Sequence, residues 1–206
     1  MSRWMKAAFL GLSFIVASLS PAVSASNYFA PPPGITLTNG TPMNFLQLRS
    51  SHTKKVRLDP KFMRQVVPFK TEQSAGTIIV NTGEKFLYLV LGKGKALRYG
   101  IGTAKDGFEW SGTHKITRKA EWPGWTPPAE MKRRRPDLPD YMPGGIRNPL
   151  GARALYIGST LYRIHGTSEP WTIGQAVSSG CIRLTNEDVT DLYERVRVGA
   201  LVVVHQ

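Results

Sequence analysis

The amino-acid sequence predicts a mainly β fold of the α+β class, a curved mixed β-sheet or β-sandwich with one or two short helices and a long loop. Short runs of β-branched and aromatic residues, separated by turns that contain glycine, fill most of the chain after residue 76. One clear amphipathic helix follows residue 185. A stretch rich in proline and glycine, residues 121–150, interrupts the strands and predicts the long loop.

The individual elements follow from local patterns. We expect strands over residues 77–80, 86–91, 96–101, 114–117 and 154–157. After a turn at residues 158–160, a further strand ends at His165, and a closing strand covers residues 200–205. Tight turns join the first three, which predicts an antiparallel meander. Thr185 or Asn186 caps the helix, whose apolar face is formed by Val189, Leu192, Tyr193 and Val196.

The chain of 206 residues, 41% of them hydrophobic, is long enough for one ordinary domain, which we place over residues 76–206. Residues 1–25 begin with Arg3 and Lys6, continue through a mostly apolar stretch and end in small residues, which predicts a secretory signal peptide. An uncleaved N-terminal anchor is the alternative. Residues 26–75 are expected to form a tether, with a short helix over residues 61–66 that Asp59 caps.

The charge and the cysteine content limit the possible functions. The formal net charge of +13 falls to +11 when the segment with Arg3 and Lys6 is removed. A basic protein usually binds a polyanion, and export argues against nucleic acid as that partner. The single cysteine, Cys181, cannot form an internal disulfide, so it is either an inert or a reactive thiol.

The long loop, which we call the lid loop, comprises residues 121–150. We expect it to lack regular structure and to cover a cleft, because long loops inside compact domains commonly serve as lids or binding loops. Trp122 and Trp125 would contact a sugar or peptide, and the basic run at residues 132–135 would meet carboxylates. The alternative is a surface loop whose two tryptophans fill the core.

Cys181 lies in a glycine-containing turn, and His165, sixteen residues upstream, ends a predicted strand. The two can meet if the intervening loop folds back. A histidine beside a cysteine promotes formation of the thiolate, which is the nucleophilic form of the side chain. The pair therefore indicates a cysteine enzyme that passes through a covalent intermediate.

The motifs His165-Gly166-Thr167 and Ser178-Ser179-Gly180-Cys181-Ile182-Arg183 resemble those of the L,D-transpeptidase catalytic domain, a family of bacterial cell-wall enzymes. The resemblance extends upstream to about residue 76. It implies that the backbone carbonyl of Gly166 orients the imidazole of His165. Thr167 and Ser179 are candidate substrate contacts. Many relatives have histidine where this chain has Ser179, so no role that needs an imidazole is expected there.

Other groups of the turn suit acyl transfer. The amides of Gly180 and Cys181 and the hydroxyl of Ser178 are candidate donors to a tetrahedral oxyanion. If the chain is extended after Cys181, Arg183 flanks the same cleft and suits a substrate carboxylate. The alternative for Arg183 is an ion pair with a nearby acid such as Asp188.

The resemblance also implies the reaction, which is attack on the third residue of a peptidoglycan stem tetrapeptide with release of D-alanine. An amine then accepts the acyl group, either from a second stem, giving a 3-3 cross-link, or from a lysine of a lipoprotein or outer-membrane protein. One alternative is L,D-carboxypeptidase activity, in which water accepts it. An alternative of another class is a non-catalytic basic module that binds the cell wall. No metal, other cofactor or nucleic acid is expected, and the location would be the periplasm.

Overall fold

The structure is a computed structural model that describes residues 58–206. The predicted signal peptide and most of the predicted tether lie outside the described residues. The strands of the described part are β1 (Gln65–Pro68), β2 (Ile78–Asn81), β3 (Phe86–Gly92), β4 (Lys95–Gly100), β5 (Thr103–Ala104), β6 (Gly112–Glu121), β7 (Arg153–Ile157), β8 (Arg163–His165), β9 (Ala176–Ser178), β10 (Ile182–Arg183) and β11 (Leu201–His205). The α-helices there are α1 (Ala129–Arg134) and α2 (Asn186–Arg195), and short 3-10 turns form at Pro60–Phe62 and Pro170–Thr172.

Nine of the strands in residues 58–206 form one sheet in the order β1-β4-β3-β2-β11-β6-β7-β8-β10, and β5 pairs separately with β9. The meander β2-β3-β4 is antiparallel, as predicted. The last strand, β11, lies between β2, to which it is parallel, and β6, to which it is antiparallel. The mainly β fold with a mixed sheet and two helices is therefore confirmed.

One hydrophobic core receives side chains from both ends of this sheet. It includes Leu97 and Tyr99 from β4 and Ile182 from β10, so the sheet curves around it. Helix α2 contributes the buried residues Val189 and Leu192, and Val196 follows just after the helix, which confirms most of the predicted apolar face. Tyr193 is partly buried against the same core.

The start of the described chain differs from the prediction. Asp59 caps a turn as expected, and its Oδ1 accepts a hydrogen bond from the amide of Lys61 at 3.0 Å. The turn ends at Phe62, because the chain is extended at Met63, and β1 follows and pairs antiparallel with β4. The predicted helix over residues 61–66 is wrong, because this segment instead hydrogen-bonds to the edge of the sheet.

The lid loop contains more regular structure than expected. Residues Ala129–Arg134 form α1, and Trp125 and Met142 exchange two backbone hydrogen bonds of 2.8 Å. The buried side chain of Asn148 donates to the carbonyls of Met142 and Pro143 and accepts from the amide of Leu150. The loop is thus held by its own hydrogen bonds. Within residues 58–206, neither helix is long and apolar enough to cross a membrane.

Candidate active site

His165 is the last residue of β8 and is only 4% exposed. Its Nδ1 lies 2.6 Å from the backbone carbonyl oxygen of Gly166. Because a carbonyl oxygen only accepts hydrogen bonds, Nδ1 carries the proton in this contact. The neutral imidazole then has its lone pair on Nε2, which can accept a proton from a neighbouring group.

Cys181 follows a tight turn between β9 and β10. Gly180 has φ of +110° there, and a Cβ on it would overlap the ring of Tyr162. The indole Nε1 of Trp110 donates to the carbonyl of Gly180 at 2.6 Å, and the Trp110 ring stacks on Tyr162 with 4.4 Å between centroids. The turn therefore needs glycine at this position, since no side chain fits beneath the stacked rings.

The strands beside these two residues are hydrogen-bonded neighbours. β10 pairs parallel with β8, with Ile182 opposite Ile164 and Arg183 opposite His165. Cys181, which immediately precedes β10, and His165 line the same cavity of about 380 Å³. The structure thus brings together the thiol and the imidazole that the sequence pairs.

Both groups are held in their neutral forms. Burial, together with the positive charge of Arg183, lowers the pKa of His165 to about 3. Burial also raises the pKa of the Cys181 thiol, although the guanidinium of Arg163 acts in the opposite direction. A neutral imidazole that lines the same cavity as a neutral thiol is able to accept the thiol proton.

Comparison with known proteins identifies the family. A sequence profile of the YkuD L,D-transpeptidase catalytic domain matches residues 75–204. The chain belongs to the L,D-transpeptidase family. The probable L,D-transpeptidase YbiS of Escherichia coli is 42% identical over 133 residues, which are 61% of this chain and 43% of YbiS. The chain therefore spans less than half the length of this relative.

Two solved structures extend the comparison. A protein from Brucella melitensis, described as a probable carnitine operon oxidoreductase, is 47% identical and covers 72% of this chain and 96% of its own, with a TM-score of 0.49. An L,D-transpeptidase from Mycobacterium smegmatis is 17% identical with a TM-score of 0.50, covering 63% of this chain and 58% of its own. At this low identity, the similarity to the Mycobacterium smegmatis protein concerns the fold alone.

Arg183 lines the cavity that holds Cys181 and His165, and its Nη1 forms an ion pair with Glu169 at 3.0 Å. The alternative of an ion pair with a nearby acid therefore holds for Arg183, but the acid is Glu169 and not Asp188, which lies 3.7 Å from Arg64. Glu169 is a residue that the sequence did not single out. Its carboxylate would compete with a substrate carboxylate for the guanidinium.

The predicted oxyanion donors are arranged differently from the expectation. The hydroxyl of Ser178 donates to the carbonyl of Cys181 at 2.6 Å, and its oxygen accepts from the amide of Gly180 at 3.2 Å. These two donors therefore stabilise the turn and are not free for a ligand. The amide of Cys181 is the remaining candidate of the three.

Of the predicted substrate contacts Ser179 and Thr167, only Ser179 lines the cavity. Ser179 is half-buried and lines the cavity. Thr167 is 2% exposed, and its hydroxyl oxygen accepts from the amide of Glu169 at 2.9 Å, while its own amide donates to Asn186. Thr167 therefore shapes the loop after His165 and does not line the cavity.

The two tryptophans of the lid loop also differ in whether they line the cavity. Trp125 lines the cavity, together with Pro128, Glu130, Met131 and Arg134 from the same loop. Trp122 is 43% exposed and does not line it. Neither belongs to the described hydrophobic core clusters, so the alternative that both fill the core is wrong. The lid loop thus covers the cysteine cavity, as expected, through Trp125 and α1.

Asn186 is a structural residue of the site that the sequence indicated only as a possible helix cap. Its Oδ1 accepts from the amide of Ala152 at 2.9 Å and from the amide of Thr167 at 3.2 Å. It thereby fixes the backbone around Gly166, whose carbonyl contacts His165. No local pattern reveals this role, because the two partners lie 34 and 19 residues away.

Proposed function

We propose that this protein is an exported cysteine acyltransferase that acts on peptidoglycan stem tetrapeptides, with Cys181 as nucleophile and His165 as general base. The observation that carries the proposal is geometric. His165, at the end of β8, and Cys181, just before the parallel neighbour β10, line one cavity, and the contact of Nδ1 with the Gly166 carbonyl directs the free lone pair of His165 to Nε2. Membership of the L,D-transpeptidase family supports the choice of substrate.

The first half of the reaction forms a thioester. The thiol proton passes to Nε2 of His165, and the resulting thiolate attacks the carbonyl carbon of the third stem residue. The amide of Cys181 donates to the tetrahedral oxyanion, a type of contact typically worth about 3 to 4 kcal/mol of barrier. The intermediate collapses, the C–N bond breaks, and the imidazolium returns its proton to the leaving D-alanine.

The second half transfers the acyl group. The side-chain amine of a second stem attacks the thioester carbonyl, and His165 accepts the amine proton. The C–S bond then breaks and regenerates the thiol, leaving a 3-3 cross-link. Arg183 and Ser179 on the cavity wall, with Trp125 above, are the groups that would hold the donor peptide.

The test is incubation of purified protein with muropeptides that carry tetrapeptide stems. We expect release of free D-alanine, a transient thioester adduct in the intact mass of the protein, and a cross-linked dimer. The Cys181→Ala variant should give none of the three. A variant with wild-type product would contradict the proposal, and a protein that binds sacculi without forming any adduct would be a non-catalytic wall-binding module.

The products of the same reaction identify the group that accepts the acyl chain. Transfer to a second stem gives dimer, whereas transfer to water gives tripeptide, so the ratio of the two products separates transpeptidation from carboxypeptidation. A peptide with a free lysine, added as competitor, reports transfer to a protein amine. Export to the periplasm predicts that the mature protein lacks residues 1–25, which its N-terminal sequence would establish.

A further inference from the structure

Arg163 lies on the same face of β8 as His165, because side chains two residues apart on a strand point to the same side. Cys181 and Arg183 are also two residues apart, along the extended segment that pairs with β8, so their side chains share a face as well. The parallel register sets Arg183 opposite His165 and Ile182 opposite Ile164, and one further step of that register would bring Cys181 level with Arg163. All four residues line the same cavity, so two cations surround the thiol and the imidazole.

The guanidinium of Arg163 and the thiol of Cys181 share one contact. Nη1 of Arg163 donates to the carbonyl oxygen of Leu161 at 3.0 Å, and Sγ of Cys181 lies 3.9 Å from the same oxygen. The two groups are therefore within 6.9 Å of each other, the sum of these distances. The Nε of Arg163 is buried and has no hydrogen-bond partner among the described residues.

The two arginines differ in their counterions. Arg183 is paired with the carboxylate of Glu169, which offsets part of its charge. Arg163 forms no ion pair with any residue in 58–206. A half-buried cation without a counterion is costly unless an anion forms beside it during the reaction.

We propose that Arg163 is the cation that stabilises the Cys181 thiolate. This inference rests on the proposed function, in which sulfur attacks as the thiolate after its proton has passed to Nε2 of His165. The negative charge then develops within 6.9 Å of Nη1 of Arg163, the sum of the two distances to the Leu161 carbonyl. No further reactant is needed, because the proton moves only between the two side chains.

The other charged groups around the thiol fit this assignment. Burial raises the pKa of Cys181, while Arg163 lowers it through its charge and through hydrogen bonds, and Arg183 lowers it less. Glu130 and Arg134 reach the cavity from α1 and carry opposite charges. The same positive charge of Arg163 also disfavours the imidazolium of His165. Arg163 thus favours the ionised sulfur and keeps the base neutral.

The simplest competing explanation is that Arg163 only supports the packing of Tyr156, whose ring centroid lies 5.3 Å from its guanidinium carbon. Arg118 offers a matched control, because its guanidinium carbon lies 3.6 Å from the same ring centroid and it does not line the cavity. A packing role would be shared by both arginines. A charge effect on sulfur would be specific to Arg163.

The experiment titrates the thiol in the full-length protein without any substrate. Thiolate ultraviolet absorbance and the rate of alkylation by iodoacetamide are followed against pH, with Cys181→Ser as the baseline. We expect the thiolate midpoint of Arg163→Met and Arg163→Gln to rise by about one pH unit, so that about tenfold less thiolate is present at a fixed pH below the midpoint. Arg163→Lys should retain a midpoint near that of the wild type, and Arg118→Met should equal it.

A folded Arg163→Met or Arg163→Gln protein with the wild-type midpoint would overturn the inference, as would an equal shift in Arg118→Met. If both neutral variants fail to fold, a rise of about one pH unit in Arg163→Lys would overturn it as well, since lysine keeps the charge. The titration is independent of peptidoglycan. A wild-type protein that releases no D-alanine would therefore refute the proposed function while leaving the role of Arg163 in ionising the thiol intact.

Discussion

His165 links the chemistry of the site to the stability of the fold at the scale of one residue. Its pKa is about 3 in the folded protein, where burial is the main cause, against an ordinary value of 6.5. Between these values the unfolded chain binds a proton that the folded chain does not. The free energy of unfolding should therefore fall as the pH drops below about 6.5, by at most about 1.4 kcal/mol per pH unit.

Urea unfolding at pH 7 and pH 5 measures this effect. We expect the wild type to lose more stability between the two values than His165→Gln, which cannot bind the proton. His205→Gln serves as the control because His205 is exposed, and it should lose as much as the wild type. Equal losses in wild type and His165→Gln would contradict the assignment of a buried neutral imidazole.

Gly180 is the second residue on which the site depends. Alanine there would adopt φ near +110° and would overlap Tyr162, whose ring is fixed by its stack on Trp110. The turn must shift to relieve the overlap, and Cys181 shifts with it. We expect Gly180→Ala to lose at least about 2 kcal/mol of unfolding free energy and more than about tenfold of D-alanine release.

Gly94→Ala is the matched control for this change. Gly94 also has positive φ, at +69°, but nothing lies within 4 Å of the position of an added Cβ. It therefore carries the backbone strain of about 1 to 2 kcal/mol without the steric overlap. If Gly180→Ala proves as stable and as active as Gly94→Ala, the close contact with Tyr162 does not constrain the turn.

Helix α2 acts on the site through its first residue. Asn186 accepts two backbone amides, those of Ala152 and Thr167, and so ties the start of the helix to the loop that follows His165. Asn186→Ala leaves both amides without their partner, at a cost of about 1 to 3 kcal/mol each. We expect it to reduce both the unfolding free energy and the rate of D-alanine release.

Asn186→Asp keeps an oxygen in the same place and separates the hydrogen bonds from the volume of the side chain. We expect it to retain most of the stability and activity that Asn186→Ala loses. Thermal unfolding and the release assay on the two variants make the comparison. Equal losses in both would show that the two accepted hydrogen bonds do not explain the role of Asn186.

The contrast between α2 and α1 shows which elements the sequence can predict. Thr185 caps α2 by accepting from the amide of Asp188, and the periodic apolar face adds a second local signal. α1 has no side-chain cap and no buried residue, so no apolar period marks it. β1 was missed for a related reason, since its stability comes from pairing with β4, thirty or so residues further along the chain.

At the scale of the whole molecule, the sequence predicts the reactive pair but not the groups around it. Cys181 and His165 could be found because each lies in a short motif. The hydrogen bond from Trp110 to Gly180 spans 70 residues of chain, and the approach of Cys181 to Arg163 depends on the parallel pairing of β10 with β8. Such contacts are fixed by tertiary packing, so local patterns carry no signal for them.

β11 closes the fold, because it pairs with the meander through β2 and with β6, which leads to the strands that bear the active site. Its side chains alternate, with Val202 fully buried and Val203 half-buried on the opposite face. We expect Val202→Ala to cost about 2 kcal/mol of unfolding free energy through lost burial and a new cavity. Val203→Ala, a change of the same size on the other face, should cost clearly less.

Urea unfolding should show one transition for Val202→Ala, whether it is followed by circular dichroism or by the reactivity of Cys181. Two separate transitions would mean that the meander and the active-site strands do not depend on β11 as a common element.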